Sequence, residues 1–441
     1  MKKNRDTDSF INASLFLGAI AIIALLMIAS YAATVLLPCR GISVGRWLLS
    51  PVLVLGTDVS VTLIAVIVFM LIIGGVFSAL EKAGIMLYLL DFIADRFGTK
   101  KYRLLIVMTF FFMAVGSLVG SFEECVPLVP IVVALSVKLG WDALTGISMS
   151  LLAVGCGFAA GVFNPFTIGI AQEMAGLPMF SGAGFRAVCF VFIYALLLLF
   201  TLIHAKRVDK GIQTDKNGSF QRNRSMEKAA ALFVGIVAFG LVLVLSSTMI
   251  SALRDYTFPI ISVMFLVAGL CSCRAGGMSR KELGRVFGKG AVSMLPAVVM
   301  ILMAASIRYT LEYAGVLDMI VDSAVALASR LPGWMVILFI YLFVLIMNFF
   351  IASGSAKAIM LMPLLLPLAE PFGISSQLLI VAFAFGDGFS NVFYPTNPAL
   401  LVALSLADTR YSRWFRWSAK FQLCNLLLTS LLLLAGRALG V

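Results

Sequence analysis

Charged side chains make up only 12% of this 441-residue chain, about half the share of a soluble domain, and that deficit excludes a water-soluble globule. Histidine occurs once, at His204, and no His-Glu-x-x-His pair exists, which removes the metalloprotease reading. The cysteines, Cys39, Cys125, Cys156, Cys189, Cys271, Cys273 and Cys424, show no metal-ligand spacing and read as small apolar packing groups. The apolar runs also lack the barrel signature of alternating strands about ten residues long.

What is present is hydrocarbon: 61% of residues are hydrophobic and the mean hydropathy is +1.07. Apolar runs of about 20 residues recur along the whole chain, long enough to span a bilayer as helices. The class is an all-α polytopic membrane protein. The first run, about 10–37, is too long for a signal-peptide core and reads as a retained first helix.

The net charge of +12 is gathered into particular loops, around Lys100 and Lys101, from Lys206 to Lys228, from Arg274 to Lys289, and from Arg410 to Lys420. The positive-inside rule makes these loops cytoplasmic. The charge is therefore an orientation signal within a cell membrane, not a nucleic-acid surface. It sets the N-terminus in the cytoplasm and the C-terminus outside.

Two stretches repeat one another half a chain apart. Gly155-Cys156-Gly157-Phe158 runs into Val162-Phe163-Asn164-Pro165, and Gly386-Asp387-Gly388-Phe389 runs into Val392-Phe393-Tyr394-Pro395. Further anchors recur in the same order: Leu80-Glu81-x-Ala83-Gly84 with Leu311-Glu312-x-Ala314-Gly315, Pro130 with Pro363, and Gly140 with Gly373. Several anchors at a nearly constant offset mark an internal repeat. Loop charges then give the copies opposite orientations.

The expected layout is a scaffold helix and connection over 1–60, and a first repeat over 61–204 containing a hairpin at 103–138 and a broken helix at 143–176. A basic cytoplasmic linker covers 205–228. Two scaffold helices and a basic loop cover 229–291. A second repeat covers 292–441, with a hairpin at 333–369 and a broken helix at 376–408. That makes about nine transmembrane helices, two re-entrant hairpins and two broken helices. Paired interruptions at matching places in two inverted halves are the sequence mark of a secondary transporter's binding site.

Ionisable residues inside a bilayer are costly and mark function by default. Glu123 and Glu124 at the first hairpin tip suit a cation, an amine or a proton, and either could instead cap a half-helix. Lys357 at the second tip could bind a substrate carboxylate, stand in for a coupling cation, or pair with Glu123, Glu124 or Asp387. The breaks offer Asn164 and Thr167 on one side and Ser390, Asn391, Thr396 and Asn397 on the other. Half-helix N-termini there favour carboxylates, and free carbonyls and hydroxyls favour Na+. Glu81 and Glu312 read as helix-end carboxylates that reach the interface, Glu173 as either lining the outward vestibule or lying on a solvated face, and His204 as interfacial. A Ser-Lys dyad using Lys357 would require an intramembrane hydrolase, and a channel would require a symmetric multi-subunit filter; neither suits an inverted repeat of broken helices.

Taken together, Gly120 to Glu124, Pro130, Gly155 to Gly169, Ser353-Gly354-Ser355 and Gly386 through Thr396 resemble the YfcC/C4-dicarboxylate anaerobic carrier family, from about residue 60 to 430. The resemblance implies the ion transporter superfamily: a homodimer, a scaffold and a transport domain, elevator motion, and a dicarboxylate or a basic amino acid as solute. By that resemblance Ser121, Glu123, Glu124 and Asn164 form one half-site and Ser353, Ser355, Asp387, Ser390, Asn391 and Thr396 the other. Substrate contacts are expected from Glu123, Glu124, Asn164, Thr167, Ser353, Ser355, Lys357, Asp387, Asn391 and Asn397. Ion contacts are expected from Ser121, Asn164, Ser390, Asn391 and Thr396. No cofactor is expected beyond a coupling Na+ or H+. Lys357 departs from the family pattern, where an uncharged polar residue would follow the Ser-Gly-Ser turn, and its ammonium is read as replacing a cation.

Overall fold

The computed structural model describes residues 13–57, 60–120, 122–211, 223–247 and 257–441. The described residues are helical, without strands, and eight of their helices are long and apolar enough to cross a membrane by length and composition. Apolar side chains cover the outer faces: Leu25, Leu36, Val191, Leu427 and Leu431 are all exposed, as lipid-facing positions must be.

The chain opens with α1 (Ala13–Leu36), α2 (Val44–Leu53), α3 (Ser60–Lys82) and α4 (Ile85–Phe97). A first hairpin follows, made of α5 (Lys101–Val119), a 3-10 turn over Glu123–Leu128 and α6 (Val129–Lys138). The first broken helix comprises α7 (Ala143–Ile147), a π turn, α8 (Ala153–Ala160), a break, a second π turn over Pro165–Gly169, and α9 (Ile170–Met174). Then come α10 (Ala183–Val208), α11 (Arg224–Ser247), α12 (Thr257–Ala275), α13 (Arg280–Ser293), α14 (Leu295–Tyr313) and α15 (Val316–Ala328). The second hairpin is α16 (Gly333–Phe350) with α17 (Gly354–Ala369). The second broken helix is α18 (Ser376–Gly388) with α19 (Pro398–Leu406), and α20 (Tyr411–Leu439) closes the chain.

Two expectations change. The connection before residue 60 contains α2, started by Ser43, whose hydroxyl accepts from the Arg46 N–H. The basic stretch 274–289, read as loop, is helical from Arg280: Ser279 caps it by accepting from the Glu282 N–H at 3.2 Å, and Leu283 is buried on its inner face. Clustered Arg and Lys imitate a loop, whereas a helix can carry them on one face and bury the other.

Packing between apolar helices in lipid depends on close backbone approach rather than on a hydrophobic drive. A Cβ on Gly290 would meet the Gly74 carbonyl oxygen at 2.4 Å, which is how α13 seats on α3. The same device holds the broken helices: a Cβ on Gly157 would lie 1.9 Å from the Met113 carbonyl oxygen of the first hairpin, and one on Gly388 would lie 2.4 Å from Ala159 Cα. The glycines of the repeated motif thus pack α8 against both α5 and α18.

The inversion can be measured along α20. Arg413, in its first turn, reaches Asp142 at 3.3 Å, four residues beyond the end of the first hairpin. Arg437, in its last turn, donates to the carbonyls of Gly333, the first residue of the second hairpin, and Phe372, three residues past its end. Those arginines stand 24 residues apart, about 36 Å of helix. The two hairpins therefore open at opposite ends of the bundle.

The first hairpin is closed at its base by Lys101, which donates to the Leu139 carbonyl at 3.2 Å and to Asp209 at 2.6 Å. Burial alone would raise the Asp209 carboxyl; hydrogen bonds from Lys101, Tyr102 and the Gly211 N–H, with the Lys101 charge, outweigh it and bring the group down to about 2. A depressed folded-state value stabilises the native form above the unfolded value of about 3.9, and that contribution is lost as pH falls through about 2. Because the pair is partly solvated, Asp209→Asn should cost about 1 kcal/mol or less. Thermal melts in detergent should show the wild-type advantage over Asp209→Asn at neutral pH, and the two curves should converge between about pH 4 and pH 2; a constant gap over that window would contradict the assignment.

Candidate functional site

Each broken helix ends in backbone that its own helix cannot pair. Gly161 adopts a left-handed conformation (φ 46°) and terminates α8. Asn164 then turns the chain: its side-chain oxygen accepts from the Thr167 N–H at 3.2 Å and its amide donates to Thr167 Oγ1 at 3.3 Å. In the second copy Asn397 caps α19 by accepting from the Ala399 N–H at 2.9 Å. The sequence supplies Asn at both breaks because its side chain can stand in for a missing peptide partner.

The hairpin tips close on these breaks. Gly120, with φ of 71°, lies so near Asn164 that a Cβ there would stand 2.1 Å from the Asn164 side-chain oxygen. A Cβ on Gly354 would lie 2.6 Å from Asp387 Oδ2 and 3.1 Å from Thr167 Oγ1. The second tip thus touches both breaks at once. Reciprocally, the turn Glu123–Leu128 packs on α19, and α17 packs on α9.

At this crossing Lys357 and Asp387 are wholly buried and paired. Lys357 sits in the first turn of α17, just beyond the tip itself, and its ammonium donates to Asp387 Oδ1 and to Asn348 Oδ1. Asp387 Oδ2 accepts from Thr167 Oγ1 at 3.2 Å, so the carboxylate ties the two repeats together. Asn348 passes the network on, donating to Ser390 Oγ at 2.7 Å and to Asn391 Oδ1 at 2.9 Å. Asn397 donates to the same Asn391 oxygen at 3.1 Å. One buried chain of hydrogen bonds therefore joins Asn164, Thr167, Asp387, Lys357, Asn348, Ser390, Asn391 and Asn397.

Other expected residues stand apart from it. Ser353 is exposed and caps α17, accepting from the Ala356 N–H at 3.4 Å and lying 3.3 Å from Ser355 Oγ; neither hydroxyl bonds Lys357 among the described residues. Glu123 lines a narrow apolar crevice with Val66, Met70, Val126 and Val402, and its carboxylate has no ion pair among the described residues. Thr396 Oγ1 is buried without a hydrogen-bond partner among the described residues. Ser121 and the Glu124 side chain lie outside the described residues. Glu81 and Glu173 are exposed, Glu312 pairs with Arg308 at 3.1 Å, and His204 lies between Asp142 and the Trp417 indole N–H, at 3.1 and 3.0 Å.

The expectation that the breaks expose unpaired carbonyls needs correction. Arg186, 1% exposed and without an acidic partner in the described residues, spreads its guanidinium over the carbonyls of Val162, Phe180 and Ser181. Its counterparts in the second copy are neutral. Trp414 donates to the Val392 carbonyl at 2.7 Å, Tyr411 to Phe393 at 2.9 Å and Gln422 to Phe389 at 3.0 Å. Orphaned buried carbonyls would cost about 1–3 kcal/mol each, and the helix after each break, α10 or α20, supplies the donors.

Sequence reasoning missed Asn348 and Arg186. A lone Asn in the apolar run 338–351, and a lone Arg at the head of the run 187–203, were the available signals, since polar groups in such runs need partners.

The sequence profile of the C4-dicarboxylate anaerobic carrier family matches residues 13–437. An Escherichia coli (strain K12) protein named "Putative basic amino acid antiporter YfcC" is 29% identical over 405 residues, covering 86% of this chain and 78% of its own length. An uncharacterized Haemophilus influenzae protein is 24% identical over 386 residues, covering 83% and 74%. Among solved structures, the Alcanivorax borkumensis YdaH transporter aligns over 97% of this chain and 98% of its own at 17% identity, with a TM-score of 0.45.

Proposed function

This chain belongs to the C4-dicarboxylate anaerobic carrier family, a family of membrane transporters, and we propose that it is a secondary active transporter moving a small carboxylate-bearing solute by alternating access. The observation that supports this most directly is the buried Lys357–Asp387 pair where two oppositely oriented breaks meet. A polar centre that deep, reached by two hairpin tips from opposite ends, suits a carrier that opens to one side at a time. The two hairpins with the broken helices would be the moving part, and α1, α3 and α11 to α14 the scaffold of a homodimer. The basic loops support a cytoplasmic N-terminus and an external C-terminus.

The charge inventory favours an amino acid with a cationic side chain over a dicarboxylate. Lys357 is already neutralised by Asp387 and the Arg186 guanidinium is engaged by backbone carbonyls, which leaves Glu123 as an acid beside the site with no ion pair among the described residues. A dicarboxylate would meet that carboxylate with like charge, whereas a guanidinium or ammonium would pair with it. The solute's α-carboxylate would lie at the N-terminus of α17, where the helix dipole favours an anion; Thr396 Oγ1, buried without a hydrogen-bond partner among the described residues, stands just before α19. The name of the Escherichia coli relative agrees with this choice, and the family's name favours the other.

Lys357 carries a second part of the proposal. Its ammonium occupies the oxygen set of Asn348 and Asp387 in which a coupling Na+ would sit, so transport should run without added Na+. A thermal-shift screen of purified protein tests the substrate class. Arginine or ornithine should raise the melting temperature and succinate or fumarate should not; Glu123→Gln should weaken the response to arginine by about tenfold to a hundredfold, the worth of a charged hydrogen bond. Stabilisation by dicarboxylates alone would overturn the cationic reading.

A further inference from the structure

A groove of about 430 Å³ runs between the C-terminal half of α12 and the N-terminal half of α13, and none of its lining residues belongs to the Lys357 network. One wall is Leu266, Leu270 and Arg274, spaced four residues apart on a single face of α12; the other is Arg280, Leu283, Gly284 and Phe287 on one face of α13. Its polarity is graded. Both arginines stand at the end where the chain turns between the helices, and the side chains become wholly apolar over the next eight residues of α12, about 12 Å of helix.

The arginine end is fixed and available. Arg274 is anchored on the turn by donating to the Met278 carbonyl at 2.6 Å. Arg280 is exposed and has no ion pair among the described residues. The same helix, α13, also carries exposed Lys281, Arg285 and Lys289, against a single acid, Glu282. The apolar end is rigid as well: Phe287 presses on α3 where Gly75 leaves room, a Cβ there falling 2.6 Å from the ring. This turn lies on the membrane face that the basic loops mark as cytoplasmic.

We propose that this groove binds an anionic phospholipid, with the phosphate between Arg274 and Arg280 and an acyl chain along Leu266, Leu270, Leu283 and Phe287. Two guanidinium groups match a phosphodiester through parallel N–H···O bonds, and basic pockets beside membrane helices on the cytoplasmic face are suited to such headgroups. A zwitterionic lipid would bring an ammonium into the same cluster of positive charge. A soluble phosphate would leave the four apolar walls unused. The inference needs only that the chain is a membrane protein and does not depend on the proposed substrate.

Delipidated protein in neutral detergent, titrated with phosphatidylglycerol, phosphatidylcholine or free glycerol phosphate and read by native mass spectrometry, decides the matter. Phosphatidylglycerol should be retained, with phosphatidylcholine and glycerol phosphate bound far more weakly. Arg280→Gln, which removes no structural contact, should weaken phosphatidylglycerol about fivefold, and Arg274→Gln with Arg280→Gln should abolish its preference over phosphatidylcholine. Equal retention of both lipids, tight binding of glycerol phosphate alone, or no response to Arg280→Gln would overturn the assignment. So would a dimer that dissociates in Arg280→Gln without any change in bound lipid, which would mean that a second copy of the chain fills the groove.

Discussion

Lys357→Gln should either abolish transport or make it depend on added Na+, and on its own it should destabilise the protein by about 3–5 kcal/mol, because it strands the Asp387 carboxylate in a fully buried setting. Asp387→Asn should destabilise to a similar degree by stranding the ammonium. The double change Lys357→Gln with Asp387→Asn removes both charges together, so its loss of stability should be well below the sum of the singles. That variant separates folding from function: it should enter the membrane and melt cooperatively, yet transport nothing. Full transport by Lys357→Gln with unchanged ion dependence would refute the role given to the ammonium here. Additive losses of stability in the double variant would refute the pairing.

The second large effect concerns backbone contact. Gly157→Ala places a methyl group 1.9 Å from the Met113 carbonyl oxygen, and Gly388→Ala places one 2.4 Å from Ala159 Cα. Neither obstacle is the mobile end of a side chain, so α8 must shift from α5 or from α18. Overpacking of this kind costs about 1–3 kcal/mol or more, and the shift would fall directly on Asn164, Thr167 and Asp387. Both variants should lose most of their uptake. Gly184→Ala and Gly235→Ala, where an added Cβ meets nothing within 4 Å, should behave as the wild type does. Wild-type uptake by Gly157→Ala would show that the repeated motif serves some need other than close packing.

Much of this architecture was legible because it rests on local signals. Long apolar runs specify helices whatever their partners, and the recurrence of Gly-x-Gly-Phe before Val-Phe-x-Pro locates two breaks without any three-dimensional information. Lys357 and Asp387 stood out because a charge in hydrocarbon needs an explanation. Their pairing was one of three open to Lys357, and choosing Asp387 over Glu123 or Glu124 depends on how a hairpin arm and a broken helix 30 residues apart are packed.

Asn348, Arg186 and Trp414 escaped for the same reason in stronger form. Asn348 looks like one polar interruption in an apolar arm until Lys357 and Asn391 are brought beside it. Arg186 looks like a helix-end charge, yet it is folded inward to serve carbonyls that exist only because α8 stops at Gly161. Trp414 performs the equivalent task for Val392 with an uncharged N–H, so the internal repeat extends to the function of the following helix but not to its residue type. The basic stretch after Arg274 misled in the other direction, since its charges lie on the outside of a helix whose inner face, at Leu283, is buried.

The most direct test of the account is substrate counterflow in proteoliposomes, with labelled arginine outside, unlabelled arginine inside, and Na+ present or absent on both sides. Saturable accumulation of label at the same rate with and without Na+ is the predicted result, as a carrier with its own ammonium in the cation place requires. Flux that rises linearly with concentration, or counterflow that vanishes without Na+, would contradict it.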